Sequence, residues 1–202
     1  MLKELSAEQK ILTAAEEVFH SKGYDGARMQ EIAEQAGLNK GLLHYYFKTK
    51  DKLFEAIFGM ALNRMVTKVL AILELELPLE EKIGLIVDEY MGLLLKNPDL
   101  PRFVLNELNK DADKFVHKHI NGNARTAFDG FVASVQSDIN EKKIKKIDPR
   151  QLFMSMMSLM IFPFMGRPLL QSVVGVTNDE FKQLMAERRA HIKEFIYNAL
   201  KA

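Results

Sequence analysis

Apolar residues recur every three or four positions along most of this 202-residue chain, the spacing that places them on one face of an α-helix. No stretch has the strict apolar–polar alternation that is typical of a half-buried β-strand. The pattern predicts an all-α protein of about nine helices. They begin near residues 7, 27, 39, 49, 80, 102, 112, 149 and 178, and a short helix at 102–109 precedes a long one at 112–142.

Several of these boundaries have a chemical explanation in the residues themselves. Ser6 precedes the first apolar series, and Gln9 lies three positions after Ser6, which is the spacing of a capping box. Thr177 and Glu180 repeat this arrangement before the last helix. Residues 97–101 contain two prolines, which cannot both lie inside one helix, so this segment separates two helices.

The segment 27–53 contains two short predicted helices joined by a glycine turn. Gly37 follows the first helix where a left-handed residue is needed, and glycine adopts that conformation without a Cβ clash. Asn39 is a strong N-cap for the second helix. Two short helices joined in this way are typical of a helix-turn-helix, whose second helix reads the major groove of DNA. We therefore expect a DNA-binding head in residues 1–48.

Residues 49–202 then form a helical body, and a long predicted helix that begins at Thr49 connects it to the head. On the second short helix, Leu43 and Phe47 lie four positions apart and are predicted to face the core of the head. This turns its other sides outward. Gly41 lets the backbone approach the bases closely, because it has no side chain.

Composition and charge narrow the class of protein. The absence of cysteine excludes disulfides and thiolate nucleophiles or metal ligands. The net charge is only +1, so composition as a whole gives no sign of nucleic acid. The short segment 40–52 nevertheless holds four lysines with Asp51 as its single acid. A local basic patch of this kind is what a surface that meets phosphates requires.

Two stretches of the head resemble the tetracycline-repressor (TetR) family of one-component bacterial regulators: GYDGARMQEIA at 23–33 and GLNKGLLHYYFKTKDKLF at 37–54. The resemblance covers residues 8–60 by motif and the remainder by helix order and length. It implies a homodimeric repressor or activator with a ligand-binding, dimerising body. It also implies that Tyr46 and Lys50 contact phosphate oxygens, although core packing is an almost equally good interpretation for Tyr46.

Four residues depart from the pattern of that family. Ala27 and Arg28 stand where threonine or serine usually begins the first helix of the motif, and Arg28 is expected to contact phosphate instead. Leu42 replaces a small or hydroxylated residue, and His44 replaces tyrosine. These changes affect the preferred bases and leave the docking mode intact. The candidate DNA-binding residues are Arg28, Gln30, Asn39, Lys40, Gly41, Leu42, His44, Tyr45, Tyr46 and Lys50.

The body has a methionine-rich predicted helix at about 149–165. Methionine suits pockets for varied apolar ligands, and core or interface packing is its more ordinary role. The candidate pocket residues are Met91, Phe103, Phe115, Phe128, Met157 and Met160. The resemblance implies that the last two long helices pair with those of a partner subunit, with Phe153, Met156, Phe181, Leu184, Ile192, Phe195 and Ile196 as candidate interface residues. We expect an apolar or aromatic small-molecule effector.

The sequence gives no indication of catalysis, metal binding or membrane insertion. There is no glycine-rich phosphate loop and no Gly-x-Ser-x-Gly motif, so we expect neither an enzyme nor a cofactor. His117 and His119 are two positions apart and would point to different sides of a helix. No apolar run approaches a membrane span, and the first residues are too polar for a signal peptide, which favours a cytoplasmic protein.

Two other classes of function remain open at this point. One is an α-helical enzyme or a small-molecule or lipid-binding module without DNA function. The other is an adaptor that binds protein partners through the aromatic segment 44–47. DNA binding that weakens with salt would distinguish the regulator from both.

Overall fold

The structure is a computed structural model that describes residues 5–120 and 123–201. In these ranges the chain is all-α, as predicted, and it contains ten helices. They are α1 (Ala7–Gly26), α2 (Met29–Gln35), α3 (Lys40–Tyr46), α4 (Lys50–Glu74), α5 (Leu79–Lys96), α6 (Leu100–His119), α7 (Asn123–Asn140), α8 (Pro149–Met165), α9 (Arg167–Val174) and α10 (Asn178–Leu200).

Between residues 100 and 142 the prediction of a short helix followed by a long one is right about a break near residue 111 and wrong about a continuous helix at 112–142, because α6 ends at His119 and α7 begins at Asn123. α6 is itself long, and Asp111 kinks it with extended backbone angles, φ −164° and ψ 90°. The side chain of Asp111 accepts a hydrogen bond from the Lys114 N–H at 3.0 Å, so it starts the second part of the helix as a local cap. α9 was not predicted. It is a short helix that ends at Gly175, which has φ 74°.

The chain forms two compact units, Met1–Asn63 and Arg64–Ala202. The first contains α1 to α3 and the beginning of α4, and we call it the head; the second we call the body. The capping box of Ser6 and Gln9 starts α1, as predicted. The apolar faces of the four helical segments supply the buried residues of the head, which are Ile11, Ala14, Ala15, Val18, Phe19, Ala27, Ile32, Ala33, Leu43, Phe47, Leu53, Phe54, Ile57, Phe58 and Leu62.

α5 packs against α7, α8 and α10 in the body. Its buried side chains include Ile83, Ile86, Val87, Met91 and Leu94, which recur at helical spacing. Polar contacts also join α5 to α10. The Lys193 ammonium lies 2.6 Å from Asp88, and the Tyr197 hydroxyl donates to the Glu80 carbonyl at 2.9 Å.

α4 corrects one expectation about the membrane. By length and composition alone this helix could cross a bilayer, whereas the sequence pattern suggested that no apolar run approached that length. α8 and α9 pass the same test only when taken together, and they are bent by 81°. The apolar side of α4 is buried in the folded chain, through Leu53, Phe54, Ile57, Phe58, Leu62, Met65, Val69 and Leu73. The apolar side chains of α4 are therefore core residues of the folded chain.

Candidate nucleic-acid interface

The turn between α2 and α3 is closed by backbone hydrogen bonds around a left-handed glycine. Gly37 has φ 68°, and its N–H donates to the Glu34 carbonyl at 3.0 Å. The Leu38 N–H donates to the Ala33 carbonyl at 2.9 Å. This pair of bonds is a Schellman motif, which satisfies the last carbonyls of α2 and reverses the chain direction. It confirms the predicted role of Gly37.

Asn39 then starts α3, because its side-chain oxygen accepts a hydrogen bond from the Leu42 N–H at 2.8 Å. Gly41 lies beside this cap. A Cβ at Gly41 would come within 3.2 Å of the Asn39 side-chain oxygen, which is tighter than most real Cβ contacts. Glycine at position 41 therefore leaves room for the Asn39 cap, and it also keeps the first turn of α3 narrow.

α3 turns one side to the core and the other to solvent. Leu43 is fully buried and Phe47 is 8% exposed, as the four-residue spacing predicted. On the outer side, Tyr45 is 78% exposed and Tyr46 is 40% exposed, and their rings meet edge to face at 5.4 Å. Core packing is thus the weaker interpretation for Tyr46. Gly41 and the other outward candidates, Lys40, His44 and Lys48, are also exposed, and Leu42 is partly exposed.

The lysines near α3 fall into two groups. Within the described residues, the ammonium groups of Lys40 and Lys48 make no hydrogen bond or ion pair, so their charges face solvent. Lys50 differs from the prediction of a phosphate contact. Its ammonium donates to the carbonyls of Tyr24 at 2.9 Å and Ala27 at 3.2 Å, and it lies 4.3 Å from the centre of the Tyr24 ring. Lys50 therefore holds the α1–α2 connection against the start of α4.

Tyr24 belongs to the same support, and the sequence pattern did not single it out. Its ring packs against Phe54 at 4.7 Å, and its hydroxyl donates to the Asp51 carboxylate. Burial raises the pKa of Tyr24 to about 12, with the hydrogen bond to Asp51 as the next cause. The Thr49 hydroxyl caps α4 by accepting from the Lys52 N–H at 3.2 Å. Together these contacts fix the start of α4, the helix that follows α3, against the end of α1.

The start of α2 explains the unusual residues found there. Ala27 is buried, so this position is part of the head core, and a polar side chain would lose solvation there. Arg28 occupies the N-cap position without a side-chain cap, and its side chain is exposed. Gln30 is exposed and donates to Glu34 at 2.7 Å. Of these three residues, Arg28 is the one that offers a free charge to the solvent side.

In the body, the predicted pocket residues are placed at different depths. Met91 and Met160 are fully buried, Phe115 is 8% exposed, and Phe103, Phe128 and Met157 are partly exposed. Phe128 lies edge to face with Phe153 at 5.3 Å, so aromatic packing joins α7 to α8. Their role in ligand binding stays a prediction.

The predicted dimer interface needs correction. Met156, Phe181, Ile192 and Ile196 are each 5% exposed or less within a single chain, so they have almost no surface left for a partner. They point inward because their helical spacing matches the protomer core. Leu184 is 42% exposed and Phe195 is 54% exposed. Phe153 is partly exposed, and its ring lies against Phe128 and Phe131.

The described geometry defines a class of protein: a helix-turn-helix head that presents a narrow helix start, two exposed tyrosine rings and unpaired lysines on one surface. Comparison with known proteins agrees with this class. A family model described as "Bacterial regulatory proteins, tetR family" matches residues 11–57, which span the head. The head is therefore similar to that of the TetR family of DNA-binding transcriptional regulators.

Relatives and solved structures extend the similarity over the body. The HTH-type transcriptional regulator RutR of Escherichia coli (strain K12) is 29% identical over 179 residues, which cover 86% of this chain and 81% of RutR. A TetR/AcrR family regulator from Thermobifida fusca has a TM-score of 0.64 at 18% identity and covers 95% of this chain and 96% of its own. These relatives are regulators, and the family is not enzymatic.

A third comparison concerns a structure with a bound ligand. The transcriptional regulator FadR from Bacillus subtilis, in complex with stearoyl-CoA, has a TM-score of 0.57 at 20% identity and covers 94% of this chain and 97% of its own. At this identity the likeness establishes the shared fold of head and body. It leaves the ligand of the present chain to be inferred from its own residues.

Proposed function

We propose that this chain is a ligand-responsive repressor that binds a pseudo-palindromic DNA operator as a homodimer in the cytoplasm. The observation that carries the proposal is the outer side of α3, where exposed tyrosines and unpaired lysines surround a glycine-containing first turn. A surface of this shape and charge suits entry into the major groove, since phosphates attract the lysines and bare backbone approaches the bases.

The proposed contacts divide into two kinds. Lys40, Lys48 and Arg28 have exposed charges and would contact phosphates, which position the head without reading sequence. Tyr45 and His44 would face base edges or sugars, and Leu42, partly exposed beside them, would meet a thymine methyl. Asn39 and Gln30 contribute mainly through structure, because their side chains already bond to Leu42 and to Glu34.

Selection of duplexes from a randomised DNA library by the full-length protein tests this proposal. We expect an enriched inverted repeat whose two half-sites are separated by about one helical turn, 10 to 10.5 base pairs, or a multiple of it. Tyr45→Ala should abolish the enrichment, whereas Lys182→Ala, an exposed lysine on α10, should leave it intact. Failure to enrich any duplex, or enrichment that Tyr45→Ala leaves unchanged, would count against the proposed interface.

We also propose that the dimer forms through the exposed apolar residues of α8 and α10. Met154 is 51% exposed and Phe162 is 52% exposed on α8, and Leu184 and Phe195 are comparably exposed on α10. Large exposed apolar patches mark protein–protein interaction sites, and these four large side chains supply such a surface on α8 and α10. These four residues replace the buried ones that the sequence pattern had suggested.

Sedimentation of wild type and charged variants tests the dimer. Phe195→Glu should convert a dimer into a monomer at micromolar concentration, because one carboxylate per subunit would be buried at the interface. Lys182→Glu is a matched control: it also adds a carboxylate to α10, but Lys182 lies two positions from Leu184 and so on a different side of the helix. A wild-type monomer at micromolar concentration would contradict this part of the proposal.

The effector is proposed to be a mainly apolar small molecule that binds in the body. The FadR complex with stearoyl-CoA supports this choice by analogy of fold, and the methionine and phenylalanine side chains of α5 to α8 suit apolar ligands. Induction would follow from differential affinity. A ligand that binds better to a conformation with low operator affinity shifts the population toward that conformation.

A further inference from the structure

Lys82, near the start of α5, is a buried lysine in the body. In the described part of the chain, Lys82 and His119 are the two polar or charged residues that are buried, each 6% exposed. The Lys82 ammonium donates to the Leu73 carbonyl at 3.1 Å and to the Ser134 hydroxyl oxygen at 3.2 Å. The Ser134 hydroxyl donates its own proton to the Gly130 carbonyl at 3.0 Å, so its oxygen is free to accept from Lys82.

The charge of Lys82 has no counter-ion among the described residues. The nearest acids in sequence, Glu80 and Glu81, are exposed on the first turn of α5 and make no ion pair with it. Burying a charge without an opposite charge is costly, and buried lysines are normally paired. An ammonium has three protons, and the two contacts named above use two of them. Both acceptors are neutral, so an anion would improve this site more than any group now present.

Tyr90 supplies a second and independent observation on the same helix. Among the described residues its hydroxyl makes no hydrogen bond, and burial raises the pKa of Tyr90 to about 12. Tyr90 is partly exposed, so its hydroxyl is available to donate a hydrogen bond to a ligand. Tyr90 lies eight residues after Lys82, which corresponds to about 12 Å along the axis of α5. The residues between them on the buried side, Ile83, Ile86 and Val87, are apolar.

We propose that the effector of this protein is an apolar carboxylic acid, with Lys82 as the residue that binds its carboxylate and Tyr90 as a donor to a second acceptor on the ligand. The inference rests on the proposed function of the body as an effector-binding unit. A carboxylate matches a single ammonium in charge. A phosphate carries about −1.5 to −2 charges and would need further cations, which the contacts of Lys82 do not include.

Binding at Lys82 would also alter the end of α4. The Leu73 carbonyl lies in the last turn of that helix, where an unpaired carbonyl gains from a nearby cation. A carboxylate competes for the same ammonium and weakens this contact. α4 is the helix that continues from the head into the body. A ligand that weakens the contact between Lys82 and Leu73 would therefore act directly on this connecting helix.

Thermal unfolding of the full chain with defined acids tests the proposal without DNA. The probes are linear fatty acids from octanoate to stearate, together with phenylacetate, each compared with its methyl ester at the same concentration. We expect at least one acid to raise the Tm by several degrees and to bind at least tenfold more tightly than its ester. Lys82→Met should remove this preference, because methionine has similar length without the charge. Lys96→Met, an exposed lysine on the same helix, should keep it.

Lys82→Gln provides the same test if the methionine variant does not fold, since glutamine still donates to the neutral acceptors. Tyr90→Phe should weaken the best acid severalfold while preserving the preference for acid over ester. Equal effects of acids and esters, no effect of any acid, or an unchanged preference in Lys82→Met would each overturn the inference. DNA selection is a separate measurement, so such a failure leaves the proposed operator binding to be judged by itself.

Discussion

Lys50 separates a structural role from a DNA-binding role within one short lysine-rich segment. Its ammonium bonds to the carbonyls of Tyr24 and Ala27 and lies over the Tyr24 ring. Lys50→Met keeps most of the apolar stem and removes the charge. We expect this variant to loosen the head and to leave the DNA contacts of its folded form unchanged.

The expected loss follows from the contacts that disappear. Hydrogen bonds to charged groups contribute about 1.5 to 3 kcal/mol in favourable cases, and an exposed cation–π contact about 0.5 to 1 kcal/mol. Lys50 is only partly buried, so water replaces part of what is lost. We therefore expect a decrease of about 2 kcal/mol in the free energy of unfolding of the head. With a typical slope for a small domain, the urea midpoint falls by roughly 1 to 2 M.

Urea unfolding followed by tyrosine fluorescence is the assay, because the chain lacks tryptophan and the head contains three of its five tyrosines. Lys48→Met is the matched control. Lys48 is exposed without a side-chain partner among the described residues, so its removal should change stability by less than about 0.5 kcal/mol. It should instead flatten the salt dependence of DNA binding by about 0.9 per head. A Lys50→Met protein with an unchanged midpoint and a flatter salt dependence would refute this reasoning.

Two further predictions concern the backbone and the tyrosines. Gly37→Ala should destabilise the head by about 1 to 2 kcal/mol in urea unfolding, because its φ of 68° is left-handed while the added Cβ meets no atom within 4 Å. Gly130→Ala is the control: it also has free space for a Cβ but lies on α7, so it should be neutral or stabilising by up to about 1 kcal/mol. Destabilisation by Gly130→Ala would show that backbone strain is not the cause of the loss at Gly37. The pKa of Tyr90 is raised from 10.0 to about 12, so its native form holds the proton more tightly and contributes stability that is complete below pH 10 and lost as the pH rises toward 12. Tyr24 has a similarly raised pKa, so an absorbance titration should show late tyrosines, one of which Tyr90→Phe removes. A late fraction that Tyr90→Phe leaves unchanged would contradict a raised pKa at Tyr90.

Local patterns predicted the head well because its structure depends on residues close together in sequence. The capping box at Ser6, the glycine turn at Gly37 and the cap at Asn39 each involve atoms within a few residues. The inward side of α3 followed from the four-residue spacing of Leu43 and Phe47. Contacts between distant residues could not be predicted in this way. Lys50 meets Tyr24 and Ala27 across more than twenty positions, so periodicity alone left it as a surface lysine.

The body shows the same limit for apolar residues. Spacing identified the buried side of α10 but could not distinguish the protomer core from a subunit interface, since both select apolar side chains. Ile192 and Ile196 are therefore core residues, and Phe195, next to them in sequence, is exposed. Lys82 was not predicted because its contacts come from α4 and α7, far away in the chain. The break near residue 111 was predicted and corresponds to the non-helical angles of Asp111, whereas the end of α6 at His119 was not predicted.

The salt dependence of DNA binding tests the central claim most directly. Each head presents three exposed basic side chains for phosphates, Arg28, Lys40 and Lys48, so a dimer would neutralise about six. Fluorescence anisotropy with a labelled duplex from selection should give a plot of log affinity against log salt with a slope of about −5. Replacing the three side chains with alanine should bring the slope close to zero. A wild-type slope near zero, or a variant that keeps the full slope, would contradict DNA binding through the exposed side of α3.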